Sequence, residues 1–239
     1  MKIVNTPGNE QVEEMDKVAD QSRRRFFQLA GGIAGAGLLL AACRRTPPST
    51  SYVGSGDTGL LNYLYILEQV QAGFYTQAVL TPYYGLTVSE STCFSDTRDQ
   101  AIAHREYLHG LVGTGAINKI VLDLSPVTFA DRTSTLSNAI ILADLAVGAY
   151  NGTAQLFTNT DYILTTSKIA TVQARRSAYM RDLLSDNYAT NPLLYHNTFA
   201  DSTVINSNGL DQALTPQVVM ASLQNYIQTK FDINKLPTF

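Results

Sequence analysis

The sequence predicts an all-α protein, a four-helix bundle with a long crossover and an extra C-terminal helix. Three observations carry this. Four stretches of helical length place apolar residues at spacings of three and four. Proline, glycine and polar capping residues punctuate them. The linker between the second and third, Ile117 to Asp131, is long enough to join parallel neighbours. At 239 residues and 45% hydrophobic, the chain can bury a full core and needs only one domain.

The first helix runs from Leu60 to Leu80, with Leu61, Leu64, Glu68, Gln71 and Tyr75 on one stripe. Asp57 and Thr58 are suitable caps ahead of it, and Thr81-Pro82 stops it. The second is expected from Ser95-Asp96, striped by Ala101, His104, Leu108 and Leu111, and ends at Gly113 and Gly115. The third covers Ser134 to Phe157, with Ile140, Ala143, Val147, Tyr150, Ala154 and Phe157 in line. The fourth covers Asp161 to Leu184, and Ile169, Val172, Gln173, Arg176 and Met180 face inward. Within the linker, Ile120 to Leu124 reads either as part of a crossover or as a short strand. Residues 186–214 are polar and without period: an irregular wrap on the bundle surface, or a binding loop. Thr215-Pro216 then opens a last helix, Gln217 to about Gln228.

The first 42 residues have a different character and form the first expected segment. A polar start leads into Ser22-Arg23-Arg24-Arg25-Phe26-Phe27 and an apolar run, Leu29 to Ala42. That run falls short of the roughly 20 residues a membrane span needs. It has the length of a signal-peptide core. The string containing Arg23 and Arg24 resembles a twin-arginine export signal, and Leu40-Ala41-Ala42-Cys43 resembles a bacterial lipobox. A short core helix or an uncleaved anchor would account for neither the arginines nor the cysteine. The resemblance implies cleavage before Cys43, lipid on its thiol, and a membrane-anchored protein on the periplasmic or cell-envelope face. Residues 43–56 then read as a flexible tether and 57–239 as the helical domain.

Several short motifs point to a family. Leu67-Glu68 with Gly73-Phe74-Tyr75, Ile102 to Leu108, Leu142-Ala143-Asp144 with Ala149 to Gly152, Gln173 to Tyr179, and Thr215 to Val218 lie on successive helices. Together they resemble the bacterial ferritin-like domain family that includes desiccation-related proteins. In ferritin-like di-metal sites two helices each supply a Glu, and two others each supply a Glu-x-x-His pair. By that resemblance Glu68 and His104 are retained, while Ala101, Ala143, Gln173 and Arg176 stand where the other ligands would be. Glu106, His109 and Asp144 lie off the inward stripes and do not readily replace them. The expected remainder is a polar core cluster of Glu68, His104, Gln173 and Arg176. In it the Arg176 guanidinium takes the place of metal and pairs with Glu68. The alternative is that Arg176 snorkels to a bundle end.

These features favour a non-catalytic structural or interaction module of the cell envelope, without a cofactor. The alternative is a protein that holds iron or manganese at Glu68 and His104, or an oxidoreductase; twin-arginine export often carries cofactor-loaded proteins. Two protein ligands hold a divalent ion weakly, and a nearby arginine opposes one. A third reading, ligand binding by Tyr83-Tyr84, Tyr188 and Tyr195-His196, ranks last. The net charge of −3, with no basic run beyond the N-terminal segment, argues against a nucleic-acid partner. No nucleophile, base and acid stand together. Cys93 reads as a small structural thiol, since no nearby His or Lys lowers its pKa.

Overall fold

The computed structural model describes residues 50–185 and 205–239. The expected signal at 1–42 with Arg23 and Arg24, Cys43, the first part of the tether, and residues 186–204 lie outside the described residues. Tyr188, Tyr195 and His196 fall there too. The elements are β1 (Ser51–Tyr52), α1 (Gly56–Leu80), α2 (Val88–Val112), α3 (Arg132–Ala154), α4 (Thr160–Ser185), α5 (Pro216–Leu223) and β2 (Phe231–Asp232). Among the described residues no helix is long and apolar enough to cross a membrane.

Side-chain partners fix the helix directions. Glu68 meets Tyr150 while Gln71 meets the carbonyl of Leu142, so α3 descends as α1 climbs. Gln71 also receives Arg176 and Glu68 receives Gln173, so α4 runs parallel to α1. Tyr75 stacks near Phe94 and Tyr65 near His109, which makes α2 antiparallel to α1. The chain therefore forms two helical hairpins, and the segment between α2 and α3 must return along the bundle. That is the expected long crossover.

The crossover is anchored rather than stranded. Leu122 makes one isolated antiparallel bridge with Ile227, and the Ile120 amide donates to the Gln69 side chain at 3.1 Å. Leu122 lies directly over Gly73, where an added Cβ would stand 2.0 Å from its Cδ1. Glycine there lets the crossover touch the α1 backbone. Wrapped in this way, α1 is buried on every face from Gly59 to Ala72, a wider surface than the single stripe its sequence suggests.

Five features differ from the sequence reading. First, α2 begins at Val88, well before Ser95-Asp96, because Thr87 and Glu90 form a reciprocal capping box. Glu90 also accepts from Arg132 at 2.7 Å, joining the starts of α2 and α3. Second, Asp57 does not cap its own helix. Its carboxylate accepts from the Thr158 amide and hydroxyl and the Asn159 amide, satisfying free donors ahead of α4. Third, the end of the expected tether belongs to the body. Ser51 and Tyr52 pair in parallel with Phe231 and Asp232, and Val53 is buried with its carbonyl held by Asn62. Fourth, the described end of the irregular segment is a strap: Leu214 donates its amide to the Gly148 carbonyl at 2.9 Å. Its own carbonyl oxygen would lie 2.0 Å from a Cβ on Gly152. The closing helix is also shorter than expected, passing into a 3-10 turn at Gln224–Tyr226.

Candidate functional site

The centre of the bundle is a polar layer set among apolar ones. On parallel helices, Glu68 and Gln71 of α1 stand one turn apart and face Gln173 and Arg176 of α4, also one turn apart. The pairs therefore meet rung to rung. Glu68 and Gln173 are fully buried and Arg176 nearly so. A buried polar group is costly without hydrogen bonds, and most of these groups have them.

Glu68 Oε1 accepts from the Tyr150 hydroxyl and the Gln173 amide, each at 2.7 Å. His104 of α2 brings its Nδ1 to 3.5 Å of the same oxygen, within ion-pair range but too far for a good hydrogen bond. The Gln173 carbonyl oxygen accepts from Arg176 Nη1 at 3.0 Å. The same nitrogen donates to the Gln71 side chain, whose amide in turn donates to the Leu142 carbonyl at 3.1 Å. Arg176 also lies over the Tyr75 ring, 5.8 Å from its centroid.

The four expected cluster residues, Glu68, His104, Gln173 and Arg176, are thus brought together. The expected direct pairing of Arg176 with Glu68 is corrected. The Gln173 amide stands between them, donating to the carboxylate and accepting from the guanidinium, because a primary amide carries both functions. Arg176 is 5% exposed and stays in the core, not at a bundle end. Burial on its own would raise the Glu68 carboxyl; the charges of His104 and Arg176 and the Tyr150 hydroxyl outweigh it and hold the group below its usual value. The carboxylate is thereby kept ionised in the core.

Glu68 Oε2 and His104 Nδ1 have no hydrogen-bond partner among the described residues. They are the groups from which a metal site would have to be built. Ala101 and Ala143, both fully buried, offer no donor, and Gln173 and Arg176 offer an amide and a cation. Asp144 is taken by Ser177 at 2.5 Å and by Arg181. Glu106 pairs with its neighbour Arg105, and exposed His109 packs on Tyr65. Among the described residues no three His, Cys, Asp or Glu side chains converge as metal ligands. One carboxylate and one imidazole beside a fixed cation do not fit a di-metal centre, which needs several carboxylates to balance two divalent ions.

Sequence reasoning missed three participants, Gln71, Tyr150 and Tyr75. All three sit on the inward stripes, so their place is legible in the sequence; a stripe alone does not distinguish core filling from hydrogen-bond partners. Cys93 is half-buried near Thr97, and burial pushes its thiol up to about 11. Tyr83 is buried, whereas Tyr84 is fully exposed.

The model of one protein family, described as a ferritin-like domain, matches residues 56–186, which span all four long helices. No curated protein matches the sequence.

Proposed function

Since the chain belongs to the ferritin-like domain family, we propose that it is a member that has exchanged its di-metal centre for a hydrogen-bonded polar core. In this reading it is a non-catalytic structural or interaction module of the cell envelope, related to the desiccation-related branch. It is exported through the signal containing Arg23 and Arg24 and anchored to the membrane by lipid on Cys43. Its protein partner is of unstated chemistry, and no nucleic acid is involved.

The observation that carries the reading is the continuous link Arg176–Gln173–Glu68, with Gln71 and Tyr150 completing it. It neutralises the surviving carboxylate with a protein cation, so the core keeps its shape without metal. Motif order in the N-terminal segment supports export: paired arginines, a short apolar run, then small residues before a cysteine.

The unpartnered Glu68 Oε2 and His104 Nδ1 favour the second reading, a reduced iron or manganese site at those two residues or an oxidoreductase built on it. Aerobic oxidation of added ferrous iron separates the two readings. The proposed module leaves the rate at its protein-free value, and an acceleration that Glu68→Ala abolishes would establish the second. Anchoring is tested by fatty-acid labelling in cells. Label is expected in the wild-type chain and absent in Cys43→Ser, and a wild-type chain without label would remove the lipoprotein assignment.

A further inference from the structure

Arg176 has a second side. Only its Nη1 is engaged by Gln71 and Gln173; Nε and Nη2 are buried and have no partner among the described residues. The hydroxyl of Tyr75, the tyrosine whose ring the guanidinium overlies, is likewise buried and unpartnered. A cleft of about 210 Å³ between α2 and α4 reaches Arg176 and is walled by Cys93, Asp96, Gln100, Val172 and Arg175. At roughly 30 Å³ per water, it has room for a small organic ion.

We propose that this cleft binds a small monocarboxylate, gripped by the Nε and Nη2 edge of Arg176. That edge presents two parallel N–H groups, the pattern that fits a carboxylate in bidentate fashion. Buried donors without acceptors call for an acceptor, and an anion satisfies them best. Arg175 adds positive charge along the wall. Asp96 sets the charge limit, since a like charge there opposes a dianion such as phosphate more than a monoanion. Val172 and the protonated Cys93 thiol give a short alkyl tail an apolar surface. Nε and Nη2 are closed to solvent in the structure, so the proposed grip requires the Arg176 side chain to turn toward the cleft that it lines. This inference goes beyond the role proposed above and does not depend on export or lipid.

The test is calorimetric titration of the full-length protein with acetate and propionate, against chloride and inorganic phosphate at equal ionic strength. Saturable binding of the carboxylates is expected, with phosphate weaker. Val172→Phe, which fills the cleft from a residue outside the hydrogen-bonded link, should weaken binding by at least about tenfold, the scale of a lost pocket contact. Asp96→Asn, at an exposed residue, should tighten it several-fold and bring phosphate closer to acetate. Absence of carboxylate binding, phosphate binding more tightly than acetate, or equal affinity in wild type and Asp96→Asn would each overturn the assignment.

Discussion

Replacing Tyr150 with Phe removes one oxygen from the polar layer and leaves the ring in place. In the wild type that hydroxyl donates to Glu68 Oε1 at 2.7 Å, in a fully buried setting. A hydrogen bond to a charged group contributes about 1.5–3 kcal/mol. The carboxylate keeps the Gln173 amide at 2.7 Å, so it is weakened rather than orphaned. Tyr150→Phe is therefore expected to destabilise the protein by about 2 kcal/mol near neutral pH. The effect carries a pH signature. The folded Glu68 carboxyl lies below its ordinary value of 4.5, so its stabilisation is present above that value and lost as pH falls through the folded one. The hydroxyl helps to hold it low, so the gap between wild type and variant should narrow on acidification. Urea unfolding followed by circular dichroism, at neutral pH and again below pH 4.5, measures both. A neutral-pH difference under about 0.5 kcal/mol, within the range of ordinary surface changes, would refute the argument. So would a gap that widens in acid.

Three further outcomes are expected. Gly152→Ala should cost about 1–3 kcal/mol or more, because its Cβ meets the Leu214 carbonyl, which is backbone and cannot swing aside; a neutral thermal shift would mean that the strap is loose. In a Cys43→Ser background, Cys93 should react with a thiol reagent roughly a hundredfold more slowly than an unperturbed cysteine, since burial lifts its pKa to about 11. Labelling at the rate of a free thiol would contradict this. Burial also raises Tyr63 and Tyr150 well above their ordinary 10.0, so their contribution to stability is present below that value and lost as pH rises past it. Absorbance titration should leave part of the 13 tyrosines un-ionised until the protein unfolds, and ionisation of all of them in the folded protein would be the contrary result.

The order of helices was legible because each carries an inward stripe, and so were the four cluster residues, which interrupt those stripes with polar groups. Local signals could have given more. Thr87 and Glu90 form a capping box three residues apart, but the polar Ser-rich turn that follows hides the start of α2 from any search for apolar period. Asp57 reads as a local cap because capping is usually local; its true partners, Thr158 and Asn159, lie a whole hairpin away. Gly73 and Gly152 carry their meaning in what approaches them, Leu122 and Leu214, and such contacts leave no periodic trace. The interposed amide of Gln173 has a similar cause. Stripe reasoning places side chains on a face, but it cannot choose which of two neighbours a flexible guanidinium will meet.

In the proposed reading, a protein cation and its amides have replaced the metals of this fold. Elemental analysis of the full chain, purified from cells supplied with iron, manganese and zinc, tests it most directly, with Glu68→Ala and Arg176→Gln measured beside it. Metal far below one ion per chain is expected in all three. Stoichiometric metal in the wild type that disappears in Glu68→Ala would contradict it and place a working site at the surviving carboxylate.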